Sequence, residues 1–79
     1  MARIIESEQT NIIGKKIREA RIAAGLSQQE LSVKLETMAV YVCRGSISRI
    51  ENGERTVNDI EIDGISKILK VSLDYLFER

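Results

Sequence analysis

Apolar residues recur at intervals of three and four along most of the chain, which is the spacing of one face of an α-helix. The first stripe predicts a helix with Asn11 as its N-cap and an end near Ala24, where Gly25 acts as the stop. The inward positions of this helix are Ile13, Ile17, Ala20 and Ala24.

A second helix is predicted directly after Ser27. Ser27 and Glu30 have the spacing of a capping box, in which each side chain bonds the backbone N–H of the other. Leu31 and Leu35 lie one turn apart and form its inward face.

A third short helix is predicted over roughly residues 44–51, with Ile47 and Ile50 facing inward. Gly53 follows it and supplies the left-handed conformation that ends many helices. This helix also displays hydroxyl and guanidinium groups that suit contact with nucleic acid, on Arg44, Ser46, Ser48 and Arg49.

Two further helices complete the chain. The fourth has its cap within residues 56–59, and Gly64 in its middle indicates close packing against another backbone. Its apolar face consists of Ile62, Ile65, Ile68 and Leu69. Ser72 caps a short fifth helix, so the fold class is all-α with five helices and no sheet.

Three phrases of the chain, in this order, resemble the phage repressor and Cro-like family of helix-turn-helix regulators, also called the xenobiotic-response-element (XRE) family. The phrases are RIAAGLSQQEL from Arg21, SISRIENG from Ser46 and VSLDYL from Val71. The resemblance implies a compact, lambda-repressor-like domain over residues 11–79, with the second and third helices as the helix-turn-helix. Residues 1–10 are expected to be a flexible lead-in.

The resemblance implies that the third helix reads the major groove of DNA. Arg44 and Gly45 take the leading positions that face the bases, and Arg49 is placed one turn later on the same face. Arginine is the commonest reader of guanine, although either arginine is equally able to hold a phosphate. Ser48 belongs to the same helix.

Other residues take supporting roles by the same resemblance. Gln28 is placed to clamp a phosphate at the start of the second helix, where the helix N-terminus also favours anions. Further backbone contacts are assigned to Ser46, Asn52 and Arg55. Arg21 and Glu51 are expected to form a structural ion pair that joins the first helix to the end of the third.

Apolar side chains crowd the end of the chain, at Leu73, Tyr75, Leu76 and Phe77. In the family the C-terminal helix often forms a two-fold dimer, which predicts a homodimer on a palindromic operator with half-sites about one DNA turn (~34 Å) apart. The alternative is that these residues only complete the core of one chain.

The connection between the second and third helices is longer than the resemblance implies, since eleven residues separate Leu35 from Ile47. Met38 continues the stripe of the second helix, which predicts one more helical turn, followed by an extended turn at residues 40–42 that packs on the core. An alternative is that Tyr41 or Cys43 contacts the DNA backbone or a partner.

The formal net charge is zero, but the charge is segregated along the chain. Residues 11–49 hold seven basic and three acidic side chains, a net +4, whereas residues 57–79 hold three basic and five acidic ones, a net −2. The distribution of charge matters more than the total for contact with nucleic acid, so the first part of the chain is the expected DNA-facing part.

Composition excludes several other classes. With one cysteine and no histidine, we expect no disulfide, no metal site, no cofactor and no enzymatic activity. No apolar run has the length of a membrane span and no signal peptide is recognised, so we expect a cytoplasmic protein with no small-molecule ligand.

The sequence therefore predicts a DNA-binding transcriptional regulator, specifically a repressor. The alternative is a protein-interaction module with the same fold, such as an antitoxin or a coactivator. The neutral net charge and the apolar residues 38–43 favour this alternative, while Arg44, Arg49 and Gln28 favour DNA.

Overall fold

The computed structural model describes residues 9–79, and these residues form five helices and no strand. The helices are α1 (Gly14–Ala23), α2 (Gln28–Glu36), α3 (Arg44–Glu51), α4 (Asp59–Leu69) and α5 (Leu73–Leu76). The predicted all-α class is confirmed. Over the same residues, no helix combines the length and the apolar character needed to cross a bilayer.

Side-chain caps fix where three of the helices begin. At α2 the Ser27 hydroxyl accepts from the Glu30 N–H at 3.0 Å, and the Glu30 carboxylate accepts from the Ser27 N–H at 2.8 Å. Asn58 and Glu61 form the same reciprocal pair at α4. Each cap satisfies backbone donors that have no partner inside the helix. The hydroxyl of Ser72 caps α5.

The start of α1 differs from the prediction. The helix begins at Gly14, three residues after Asn11, and the Asn11 side-chain oxygen accepts from the Gly14 N–H at 2.8 Å. Ile13, and not Asn11, is the N-cap residue of α1. The Asn11 amide nitrogen instead donates to Ile50 O at 3.0 Å and to Arg55 O at 2.8 Å.

One hydrophobic core joins the five helices. Its buried members come from every helix, from the residue before α1 and from the turn after α2. They are Ile13, Ile17, Ala20, Leu31, Leu35, Val40, Val42, Ile47, Ile50, Ile65, Leu69 and Leu76. Ile62 and Ile68 of the predicted α4 stripe are half-buried at the edge of this core.

The prediction that Met38 lengthens α2 is wrong. The helix ends at Glu36 and Met38 is 40% exposed, because Ala39 adopts the left-handed conformation (φ 61°) and turns the chain away from the helix axis. The predicted extended turn is present, with Val40 and Val42 buried against the core. Ser32 anchors it by donating to Val42 O at 2.7 Å.

Gly64 marks close packing, but against side chains and not against a backbone. A Cβ at this position would lie 3.2 Å from Leu35 Cδ2 and 3.3 Å from Val40 Cγ2. The glycine that meets a backbone is Gly14, where a Cβ would overlap the carbonyl oxygen of Ile50. This contact lets α1 lie directly against the end of α3.

Thr10, the last residue of the predicted lead-in, lies against the turn after α3. The backbone N–H and the hydroxyl of Thr10 both donate to Gly53 O, at 2.8 and 3.1 Å. The chain is therefore attached to the turn after α3 from Thr10 onward. Residues 1–8 lie outside the described part of the chain.

Candidate nucleic-acid interface

Helix α3 has one buried face and one exposed face. Ile47, Ile50 and Glu51 are buried against the rest of the domain. The opposite side presents four exposed residues, Arg44, Gly45, Arg49 and Asn52, with Ser46 and Ser48 half-buried beside them. This is the surface on which the sequence placed the DNA contacts.

Within this exposed face, Arg44 and Arg49 do not share one line along the helix. Five residues in an α-helix correspond to a rotation of about 140°, whereas the four between Gly45 and Arg49 leave an offset of only about 40°. Gly45 and Arg49 therefore lie in line, and Arg44 lies at the edge of the first turn.

Arg44 and Arg49 form no ion pair and no side-chain hydrogen bond with any other residue of the described chain. Arg21 and Arg55, in contrast, are each paired with a carboxylate. The two guanidinium groups on α3 thus keep all their donors available. A planar guanidinium with free donors matches both a guanine edge and a phosphate.

Arg21 and Glu51 lie together beneath this surface. Arg21 Nε donates to Glu51 Oε2 at 2.6 Å, a second nitrogen donates to Glu51 Oε1 at 3.0 Å, and a third donates to Leu26 O at 2.8 Å. The hydrogen bond to Glu51 raises the pKa of Arg21 above its ordinary value. The pair joins α1 to the end of α3 and to the turn before α2.

Gln28 adds a third member to this network. Its side-chain nitrogen donates to Glu51 Oε1 at 3.1 Å, and the residue is half-buried. The start of α2 and the end of α3 are therefore held at a fixed separation. A phosphate contact by Gln28 would involve a side chain that this bond has already oriented.

Arg55 is engaged within the molecule. Its two terminal nitrogens donate to the two carboxylate oxygens of Glu61, each at 2.9 Å, and one of them also donates to Thr56 O at 3.0 Å. The Arg55 hydrogen bond holds the pKa of Glu61 below its ordinary value. The structure thus gives Arg55, assigned to DNA from the sequence, a partner that fixes the loop after α3 to α4.

The sequence model of the helix-turn-helix family matches residues 17–76, which is most of the chain. The chain belongs to this family. Comparisons with curated proteins and with solved structures found no match. The match confirms the predicted XRE-type, lambda-repressor-like character, and α2 with α3 forms the helix-turn-helix. The domain is therefore of a DNA-binding, regulatory kind.

In this helix-turn-helix domain the C-terminal apolar residues divide into two groups. Leu76 has no exposed surface and belongs to the core, so its assignment to a dimer interface is corrected. Leu73 is 49% exposed, while Tyr75 and Phe77 are half-buried. The Tyr75 ring also lies 5.0 Å from the amine of Lys16.

The long turn of the helix-turn-helix places two side chains next to the start of α3. Tyr41 is 75% exposed between the two buried valines. Cys43 precedes α3, and its sulfur lies 3.4 Å from the hydroxyl oxygen of Ser46. Hydrogen bonding by Ser46 lowers the pKa of the Cys43 thiol.

Sequence reasoning missed two residues that position α3. Asn11 bonds the Ile50 and Arg55 carbonyls, and Gly14 admits the Ile50 carbonyl to the surface of α1. The sequence signal at Asn11 indicated only a helix cap, and Gly14 lies inside an ordinary helical pattern. Neither contact is visible before α1 and α3 are packed together.

Proposed function

We propose that this helix-turn-helix domain is a sequence-specific transcriptional repressor that reads the major groove with α3, as a homodimer on a palindromic operator. The observation that carries the proposal is the contrast among the arginines. Arg21 and Arg55 are paired with buried carboxylates, whereas Arg44 and Arg49 are exposed and unpaired among the described residues.

Base reading is assigned to the first turns of α3. In helix-turn-helix docking the N-terminal part of the second helix enters the major groove. Arg44 and Arg49 then meet base edges, and a guanidinium that forks onto guanine O6 and N7 contributes about 1–3 kcal/mol of discrimination. A Cβ at Gly45 would meet nothing within 4 Å, so this position leaves room for the groove floor.

Backbone contacts surround this reading surface. Neutral donors for phosphates lie along α3 and at the start of α2, on Gln28, Ser46, Ser48 and Asn52. Such contacts fix the position of the protein on the duplex and carry no sequence information themselves. The ion pair of Arg21 with Glu51 fixes α3 against α1, which supports both the base contacts and the phosphate contacts.

The dimer is assigned to Leu73, Tyr75 and Phe77, the members of the C-terminal set that retain exposed surface. A two-fold pair presents two copies of α3 about one DNA turn (~34 Å) apart, which corresponds to a palindrome. Occupation of a palindrome that overlaps a promoter is sufficient for repression, because the bound dimer blocks the polymerase.

The first test is selection of bound duplexes from a random DNA library at two salt concentrations. We expect enrichment of a palindrome and binding that weakens steeply as salt rises, because phosphate contacts release counterions. If no sequence is enriched, sequence-specific binding is contradicted and the protein-interaction function becomes the better one.

The second test uses Arg44→Ala and Arg49→Ala on the selected operator, with Lys34→Ala as the matched control for loss of an exposed cation on α2. Loss of a base contact costs about 1–3 kcal/mol and relaxes the preference at one base pair. Retention of full operator affinity in the double variant would contradict the assignment of α3 as the reading helix.

A further inference from the structure

A groove of about 480 Å³ lies beside the end of α3, on the side where α1 packs against it. Its walls include Lys15 and Arg18 from α1, Asn52 from the end of α3, and Glu78 from the end of the described chain. None of the base-reading positions of α3 belongs to it. The groove is a separate surface that meets the reading face at Asn52.

Lys15 and Arg18 give this groove a positive wall. They are three residues apart on α1, so they lie on neighbouring turns of the same side. Both are exposed and form no ion pair with another described residue. Lys16 differs, because its amine lies 3.6 Å from a Glu19 oxygen and over the Tyr75 ring.

Of the other charged and polar residues of the groove, Asn52 favours an anion, Glu51 is already paired, and Glu78 opposes an anion. Asn52 is exposed at the end of α3 and its amide supplies a neutral donor. Glu51 also borders the groove, but its side chain is 1% exposed and its oxygens already accept from Arg21 and Gln28. Glu78 is the one lining carboxylate, among the described residues, without such a partner.

We infer that Lys15 and Arg18 bind a phosphate group of the DNA backbone next to the one reached by Asn52. Asn52 follows Arg49 by three residues, so the two lie within about 60° of each other around α3. Because Asn52 also lines the groove with Lys15 and Arg18, a DNA strand that passes over Arg49 and Asn52 would meet the groove next. The inference rests on the proposed function and extends its DNA contact from α3 to α1.

The test measures operator affinity against salt concentration for the wild type, Lys15→Ala, Arg18→Ala and the double variant, on the selected operator and on a scrambled duplex. Lys34→Ala is again the control. Each removed phosphate contact is expected to reduce the salt slope by about 1. The double variant is expected to lose about tenfold in affinity at low salt. The loss should be equal on both duplexes, because phosphates carry no sequence information.

Glu78→Gln supplies a change of opposite sign. Removal of this carboxylate from the groove is expected to raise the affinity for both duplexes, because a like charge next to the phosphate is removed. The substituted side chains are all exposed, at Lys15, Arg18, Lys34 and Glu78. Thermal unfolding should therefore show that the variants are folded.

Ethylation interference locates the contact. Ethylation of the phosphate bound by Lys15 and Arg18 should weaken binding of the wild type but not of the double variant. Ethylation of the other contacted phosphates should weaken binding of both proteins. Unchanged affinity and salt slope in the double variant, with a wild type that binds its operator, overturn this inference alone. A wild type that fails to bind DNA overturns the proposed function and this inference together. A change of preferred DNA sequence in the double variant overturns the assignment of Lys15 and Arg18 to a phosphate.

Discussion

Arg21 and Glu51 lie thirty residues apart and meet in the interior, where the Glu51 side chain is 1% exposed. An isolated charge at such a depth is strongly unfavourable, so each group depends on the other. The three hydrogen bonds of Arg21 and the additional donor from Gln28 satisfy both. The pair therefore holds α3 in place at the end that carries Asn52.

We predict that Arg21→Met destabilises the domain by about 3–5 kcal/mol, because it leaves the Glu51 carboxylate buried without its cation. The free energy of unfolding is measured by urea denaturation.

The control is the double variant Arg21→Met with Glu51→Leu. Removal of both charges should recover much of the lost stability, since well-packed apolar side chains often replace a buried ion pair without loss. Additive losses in the double-mutant cycle would show that the two residues do not act as a pair.

At the scale of the elements, the contact between α1 and α3 decides how the reading surface is presented. Gly14 allows the Ile50 carbonyl to approach α1, and Asn11 donates to the same oxygen at 3.0 Å. Thr10 adds two hydrogen bonds to Gly53 O in the following turn. Together these contacts attach the end of α3 to the start of α1.

We predict that Gly14→Ala destabilises the domain by about 1–3 kcal/mol, the usual cost of overpacking, although alanine is the better helix former. The cause is the overlap of the new Cβ with a backbone oxygen that cannot move alone. Thermal and urea unfolding measure the change.

Gly45→Ala is the matched control, because it is also a helical glycine but a Cβ there meets nothing within 4 Å. It should leave stability unchanged or raise it by up to about 1 kcal/mol. Equal effects of the two substitutions would contradict the packing explanation.

At the scale of the whole molecule, the C-terminal helix divides its apolar side chains between the core and the surface. Leu73 is 49% exposed on α5, next to the half-buried Tyr75 and Phe77. Leu76, on the same short helix, is completely buried. One helix therefore supplies both a core residue and the surface that we assign to the dimer.

We predict that Leu73→Glu leaves the monomer folded and abolishes pairing, because a charged side chain replaces exposed apolar area in the proposed interface. Sedimentation should show a monomer. Affinity for the full palindrome should fall to that for one half-site, which should itself be unchanged.

Leu76→Glu is the contrasting variant, since a charge at a fully buried position is expected to unfold the domain. A Leu73→Glu protein that still binds the palindrome as cooperatively as the wild type would contradict the placement of the dimer interface.

Sequence reasoning recovered the five helices, the cap of α2 at Ser27, the cap of α5 at Ser72 and the bounds of α3. These features depend on residues three or four positions apart, whose interactions hold whatever the rest of the chain does. The family was recognised for a related reason, since its three phrases combine such local signals.

The tertiary structure decided what depends on distant residues. The end of α2 before Met38 depends on the left-handed Ala39 and on Val40 packing in the core, which override the continued apolar stripe. Asn11 holds the end of α3 through hydrogen bonds to Ile50 O and Arg55 O, which lie 39 and 44 residues further along the chain. Packing of α5 on the other helices likewise places Leu76 in the core and not on the surface.

The same distinction separates the arginines. Composition and spacing treat Arg44, Arg49 and Arg55 alike, as exposed cations near a helix expected to bind DNA. Only the packing of α4 against the loop after α3 brings the Glu61 carboxylate to Arg55, where it neutralises the Arg55 charge. The charge available to a ligand is a property of the folded surface, because an ion pair forms where the fold places two groups together.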